Sequence, residues 1–150
     1  MIFYRLTTTE FANDLSGNGA KIYGGRWNNV GMASVYMSEF ISLSILEILV
    51  RANKFNSPDT YTLLNIQIPD HSIKTIELKK LKPGWPAHIE YTRWIGDEFL
   101  KENQTLVLKV PSAIVPEEHN FLINPLHAAF KKVKIVSTEL LELDKRLFQN

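Results

Sequence analysis

The sequence predicts a single α+β domain in which a mixed β-sheet is flanked by helices. Its 150 residues are a usual length for one domain. Hydrophobic residues at 45% and charged residues at 22% are typical of soluble globular proteins. Strand-like and helix-like segments mix without regular β-α-β alternation, which favours an α+β sheet over a doubly wound parallel one. Because no repeat or linker divides the chain, we expect one domain over residues 1–150.

Short apolar and β-branched runs predict six strands. The predicted strands are 2–6, 34–38, 61–68, 73–78, 105–110 and 133–137. The charged tail that follows the last strand is ambiguous between helix and strand.

Two segments have helical periodicity. Residues 40–52 carry seven aliphatic side chains, so we expect a helix that is buried on most sides. Its one polar stripe consists of Ser44, Glu47 and Arg51. Residues 91–102 predict an amphipathic helix.

Composition excludes several classes of function. A net charge of +1 provides no broad basic surface, so direct nucleic acid binding is not expected. The absence of cysteine excludes disulfides, thiolate zinc sites and cysteine nucleophiles. The longest apolar stretches fall far short of the roughly 20 residues that span a bilayer, and the N-terminus lacks a secretory signal pattern. We therefore expect a cytoplasmic protein that does not bind membranes.

Familiar cofactor and metal motifs are missing. The run that starts at Gly17 begins like a dinucleotide fingerprint but lacks its third glycine. Walker, G-x-S-x-G and H-E-x-x-H patterns are absent as well. The histidines at positions 71, 88, 119 and 127 have no metal-ligand spacing, so we expect no metal site.

Glycines mark one special loop. Five of the seven glycines lie between Gly17 and Gly31, which suggests a backbone shaped for a ligand or for close packing. Within this region, Arg26 follows two glycines and precedes Trp27. A guanidinium held there could bind a phosphate or carboxylate bidentately. The alternative is a surface arginine that covers the tryptophan, and composition alone favours this alternative.

Three other polar residues are candidates with structural alternatives. Tyr36 lies in an alternating strand, where an aromatic side chain ordinarily packs in the core. Glu47 and Arg51 have i,i+4 spacing and could form an exposed pair worth roughly 0.2–0.5 kcal/mol. Ser112 follows a proline and could shape a strand end through a local backbone bond.

From Tyr4 nearly to its C-terminus, the chain resembles the RES-domain family, the toxin halves of bacterial toxin–antitoxin pairs. Three matches carry the resemblance: G-x-G-A followed by G-G-R-W-N and a further glycine, a Val-Tyr strand followed eleven residues later by Glu47, and V-P-S-A-x-V-P-E-E-x-N ending at Asn120. Such long ordered matches outweigh the structural alternatives given above.

The resemblance implies a fold similar to the ADP-ribosyltransferase core and a reaction with NAD as substrate. Family members are thought to deplete NAD by cleavage or phosphorolysis, and some modify a protein target. Arg26, Tyr36 and Glu47 would be the catalytic residues. The residues that bind NAD would be Arg5, Arg26, Tyr36, Ser112 and Asn120.

The chemistry of NAD accounts for these residue types. Nicotinamide leaves as a neutral amide, so the reaction needs no strong general acid. A carboxylate such as Glu47 can offset the charge of an oxocarbenium-like ribose. Arg5 and Arg26 would grip the pyrophosphate or ribose, and Tyr36 offers a flat face for nicotinamide. Ser112 would form a hydrogen bond to the ligand or orient Glu47.

Our leading hypothesis is an NAD-consuming toxin that uses water or inorganic phosphate as acceptor. One rival is a mono-ADP-ribosyltransferase that modifies a cellular protein. A second rival is a non-enzymatic or RNA-directed module in which Arg26 and Trp27 bind a partner or a stacked base. The resemblance also implies an Xre-type antitoxin that covers the active site, and a toxin homodimer within a larger complex.

Overall fold

The computed structural model describes residues 1–52, 60–70 and 73–148, so the histidine at position 71 lies outside the described residues. The strands are β1 (Ile2–Thr7), β2 (Val35–Ser38), β3 (Thr60–Gln67), β4 (Ile73–Thr75), β5 (Val107–Pro111), β6 (His119–Ile123) and β7 (Lys134–Glu142). The α-helices are α1 (Asn18–Tyr23), α2 (Ile41–Arg51) and α3 (Ile89–Glu102). Short 3-10 turns join several of these elements.

The seven strands form one sheet in the order β4-β5-β6-β2-β1-β3-β7. The β4–β5 pair is parallel, and the other neighbouring pairs are antiparallel. The predicted α+β class and mixed sheet are therefore confirmed. Within the described ranges, no helix is long and apolar enough to cross a membrane.

Strand register divides the sheet into two faces. Tyr4 pairs with Ser38, and Ser38 pairs with Asn120, so these three side chains share the face on which α2 and α3 pack. Phe3 and its neighbours on the opposite face form the largest apolar cluster. The first face therefore combines packed helices with a row of polar residues.

Helix α2 is oriented differently from the prediction. Leu46 is 38% exposed and Val50 is 63% exposed, so the expectation of burial on most sides is wrong. Ser44, from the polar stripe, is buried and donates to the backbone carbonyl of Tyr4 at 3.3 Å. The polar stripe thus faces the sheet, because polar groups of the strands lie there and form hydrogen bonds with it.

The glycine-rich region contains a helix that the sequence did not predict. Helix α1 ends at Tyr23 and is capped by Gly24, whose φ of 72° lies in the left-handed region that favours glycine. Helix α3 approaches the following loop closely at Gly96, where an added Cβ would lie 1.6 Å from the carbonyl oxygen of Trp27. The loop is therefore clamped between the sheet and α3.

Three strands differ from their predicted extents. Strand β6 was not predicted, because its first residues, His119 and Asn120, are polar. Strand β4 ends at Thr75, shorter than the predicted 73–78, and a 3-10 turn follows at Leu78–Lys80. The ambiguous tail continues β7 to Glu142 as strand.

Candidate active site

A buried asparagine organises the glycine-rich loop. Asn28 has no solvent exposure. Its Nδ2 donates to the carbonyls of Ala20, Asn29 and Met32 at 2.8–3.0 Å. Its Oδ1 accepts from the hydroxyl of Tyr36 at 2.7 Å. Both polar atoms of this side chain are therefore engaged, Nδ2 by backbone carbonyls and Oδ1 by the Tyr36 hydroxyl, which is the arrangement expected of a structural residue.

Tyr36 joins that loop to the sheet. Its hydroxyl also accepts from the backbone N–H of Trp27 at 3.0 Å. Burial raises the pKa of Tyr36 above its ordinary value of 10.0, so the hydroxyl keeps the proton that it donates to Asn28. With the hydroxyl engaged on both sides, the ring is the part of Tyr36 left to meet a ligand.

Glu47 lies at the centre of a second polar cluster. Its Oε1 accepts from the Ser112 hydroxyl at 3.1 Å and from Nδ2 of Asn120. Ser38 donates to Oδ1 of Asn120 at 2.6 Å and thereby fixes which way that amide faces. The second carboxylate oxygen, Oε2, makes no hydrogen bond to any described residue. One oxygen is held by the protein and the other is available.

The bonding of Ser112 fixes the direction of its proton. This fully buried hydroxyl accepts from the backbone N–H groups of Ile114 and Val115 at 3.0 and 3.2 Å. Since both lone pairs are engaged, the hydroxyl donates its proton to Glu47. Ser112 therefore shapes the strand end and also orients the Glu47 carboxylate, so the structural and the functional role considered from the sequence are compatible.

Arg26 anchors the loop from its other side. Its Nη1 donates to the carbonyl of Pro86 at 2.6 Å, and its own carbonyl accepts from Thr92 at 2.7 Å. Trp27 next to it is buried against Trp85, with the ring centroids 5.7 Å apart. The guanidinium of Arg26 is half-buried and makes no hydrogen bond or ion pair with Glu47. Its catalytic role remains a prediction.

Arg5 lies apart from the other candidates. It pairs with Leu64 in the sheet, and Leu64 belongs to the apolar cluster on the face opposite Glu47. Burial lowers the pKa of the Arg5 guanidinium, an effect that the charge of Asp14 partly opposes. The structure thus brings Tyr36, Glu47, Ser112 and Asn120 to one face of the sheet and leaves Arg5 on the other.

Two arginines that were not selected as site residues lie beside Tyr36. The Arg51 guanidinium lies over the Tyr36 ring, with its carbon 5.9 Å from the ring centroid, and forms no ion pair with Glu47. The exposed Glu47–Arg51 pair considered from the sequence is therefore wrong. Arg93 of α3 donates from Nε to the carbonyl of Gly25 at 2.8 Å. No local pattern could reveal this contact, which spans 68 residues.

Comparisons with known proteins agree on one family. The model of the RES domain matches residues 2–144. "Toxin Res" of Photorhabdus laumondii is 39% identical over 135 residues, covering 88% of this chain and 86% of that protein. The "Prs ADP-ribosylating toxin" of Sphingobium sp. is 41% identical over 140 residues, covering 88% and 87%. "Toxin Res" of Pseudomonas putida is 38% identical over 150 residues, covering 99% and 100%.

A solved structure has the same fold. A chain from the crystal structure of the M. tuberculosis MbcT–MbcA toxin–antitoxin complex superposes with a TM-score of 0.71 at 16% identity. The match covers 99% of this chain and 86% of that chain.

Proposed function

This chain belongs to the RES domain family, and we propose that it is a toxin that consumes NAD by cleaving the bond between nicotinamide and ribose. The observation that carries the proposal is the state of Glu47, whose Oε1 is held by Ser112 and Asn120 while Oε2 is left open. The relative that is named an ADP-ribosylating toxin supports a reaction at the same bond.

Glu47 acts on the ribose in this mechanism. The nicotinamide of NAD carries a positive charge and leaves as a neutral molecule, so the ribose is left with oxocarbenium character. A fixed carboxylate stabilises that charge more effectively than water, because it needs no reorganisation when the bond breaks. In the same step, the open Oε2 accepts a hydrogen bond from a ribose hydroxyl.

The neighbouring side chains have supporting roles. Ser112 and Asn120 position Glu47 through Oε1, with Ser38 holding the Asn120 amide in turn. The Tyr36 ring offers an aromatic face for nicotinamide, while its hydroxyl holds the loop. We leave Arg5 out of this step because it lies on the opposite face of the sheet.

In this proposal, Arg26 binds NAD from the edge of the loop. Its bond to Pro86 engages Nη1, and the remaining guanidinium donors are left for a phosphate or a ribose hydroxyl. Because that bond also fixes the course of the loop, we expect Arg26 to contribute to both binding and loop structure.

We also propose that an Xre-type antitoxin covers the active site around Glu47, and that the toxin is a homodimer in the larger complex. An enzyme that drains a central cofactor would poison its own host without such a partner. The similarity to a chain from a toxin–antitoxin complex supports a partner of this kind.

Product analysis tests the proposal. Purified protein is incubated with NAD, and nicotinamide and ribosyl products are followed with and without inorganic phosphate. Release of nicotinamide with free ADP-ribose indicates water as acceptor, and a phosphorylated ADP-ribose indicates phosphate. Label that accumulates on one cellular protein would favour the mono-ADP-ribosyltransferase instead. NAD that stays intact would overturn the enzyme proposal and favour the non-enzymatic rival.

A further inference from the structure

Two guanidinium groups that the mechanism does not use flank Tyr36. Arg51 lies over the ring from the last turn of α2. Arg93 reaches the same residue from α3, since it bonds the carbonyl of Gly25, and a Cβ built on Gly25 would lie 2.6 Å from the Tyr36 hydroxyl. Two guanidinium groups, one from α2 and one from α3, therefore lie beside the same aromatic side chain.

Neither arginine is neutralised by a carboxylate in the described part of the chain. Arg51 is exposed and Glu47, four residues before it, bonds Ser112 and Asn120 instead. Asp97, four residues after Arg93, accepts from the backbone and side chain of Asn29 at 3.0 and 2.7 Å. Glu47 and Asp97 are thus engaged elsewhere, and Glu90, three residues before Arg93, is exposed and forms no ion pair with it.

The backbone beside Arg93 is adapted to its guanidinium. A Cβ built on Gly24 would lie 3.1 Å from Nη2 of Arg93, so glycine leaves room at this point. Among the described residues, only Gly25 bonds the Arg93 side chain, through Nε, and the two terminal nitrogens remain available as a planar fork. Such a fork suits the paired oxygens of a phosphate group.

We propose that Arg51 and Arg93 form a subsite for the diphosphate of a dinucleotide, beside the nicotinamide position at Tyr36. The inference rests on the proposed function and identifies the part of the substrate that these residues recognise. A cationic nicotinamide next to Arg51 would be repelled by that charge. A diphosphate bound between the two arginines removes the repulsion and draws the nicotinamide onto the ring.

Direct binding of ADP and adenosine tests the subsite independently of turnover. ADP carries the diphosphate and adenosine does not, so the pair isolates the contribution of the phosphates. Because hydrogen bonds to charged groups are strong, we expect Arg51→Gln to weaken ADP binding by about tenfold or more in isothermal titration calorimetry. Adenosine binding should not change. Arg51 makes no hydrogen bond to other described residues through its side chain, so the thermal midpoint should fall by no more than the small contribution of its contact with the Tyr36 ring.

Two further variants make the test specific. Arg93→Lys keeps the charge and loses the fork, so it should weaken ADP binding as well. Arg146→Gln is the matched control, because Arg146 is exposed and already bonded to Asp144, and it should leave ADP binding unaffected. Equal ADP affinity in the wild type and Arg51→Gln would overturn the subsite, as would an equal loss for adenosine.

The outcome separates the subsite from the enzyme proposal. Binding of ADP that depends on Arg51, in a protein that leaves NAD intact, would keep the subsite and remove the activity. Consumption of NAD by a protein whose ADP binding is indifferent to Arg51 would remove the subsite alone.

Discussion

Two polar clusters lie on the same face of the sheet, and they differ in how completely they are satisfied. In the first cluster, Asn28 is fully buried, and both polar atoms of its side chain form hydrogen bonds with the loop or with Tyr36. In the second, Glu47 is half-buried and keeps Oε2 open. The difference shows that part of the Gly-Gly-Arg-Trp-Asn motif builds the loop, whereas the carboxylate that we propose as the reactive group comes from α2.

Stability and activity should separate along the same line. A residue whose hydrogen bonds are all internal contributes to folding, and its loss leaves buried partners without water or protein to replace it. A half-buried residue with an unused polar atom has that atom available for a ligand. Substitutions in the two clusters therefore have opposite expected outcomes.

The largest loss of stability is expected for Asn28→Ala. The carbonyls of Ala20 and Asn29 keep backbone donors, whereas the Met32 carbonyl loses its donor and the Tyr36 hydroxyl loses its acceptor. At roughly 1–3 kcal/mol for each buried unsatisfied group, the free energy of unfolding should fall by at least about 2 kcal/mol. Urea denaturation measures this loss. Asn18→Ala, at an exposed position of α1, serves as the control and should change stability little. Equal stability of the two variants would contradict a structural role for Asn28.

Tyr36→Phe should have a smaller effect that depends on pH. Near neutral pH, the loss of the hydroxyl should cost about 1–3 kcal/mol. Because burial raises the pKa of Tyr36 in the folded state, the unfolded chain releases this proton first as the pH passes the ordinary value of 10.0. Wild-type stability should therefore decline above that pH, and the variant should lack this part of the decline.

Urea midpoints at pH 8 and pH 11 test the pH dependence. Tyr23→Phe is the matched control, since Tyr23 is 81% exposed. A Tyr36→Phe protein that loses as much stability as the wild type between the two pH values would show that Tyr36 ionises as an ordinary tyrosine.

Local pattern was sufficient for much of the fold. Alternating apolar residues located β1 and β2, and helical periodicity located α2 and α3 within one or two residues. Strand β6 was missed because it begins with two polar residues, His119 and Asn120. The polarity of Asn120 serves a tertiary contact, since its amide donates to Glu47. The orientation of α2 was missed because periodicity assigns polar residues to solvent, and here Ser44 and Glu47 face a polar row of strand residues.

The candidate site was predictable only in part. Resemblance to a family indicated Glu47, Ser112 and Asn120, and the structure places their side chains in direct contact. Ser38 and Arg93 were missed because their partners lie 82 and 68 residues away, and no local spacing encodes such contacts. Arg5 was indicated by the resemblance, but strand alternation directs it to the other face of the sheet.

Glu47→Gln tests the role of the open carboxylate oxygen most directly. The amide oxygen of glutamine can still accept from Ser112 and Asn120, so the free energy of unfolding should stay within about 1 kcal/mol of the wild type. The amide nitrogen that replaces Oε2 carries no negative charge, so consumption of NAD by the purified protein should fall by about a hundredfold or more. Induced expression of the wild type should lower the cellular NAD concentration, and expression of the variant should leave it unchanged. A folded Glu47→Gln protein that consumes NAD at the wild-type rate would contradict the mechanism.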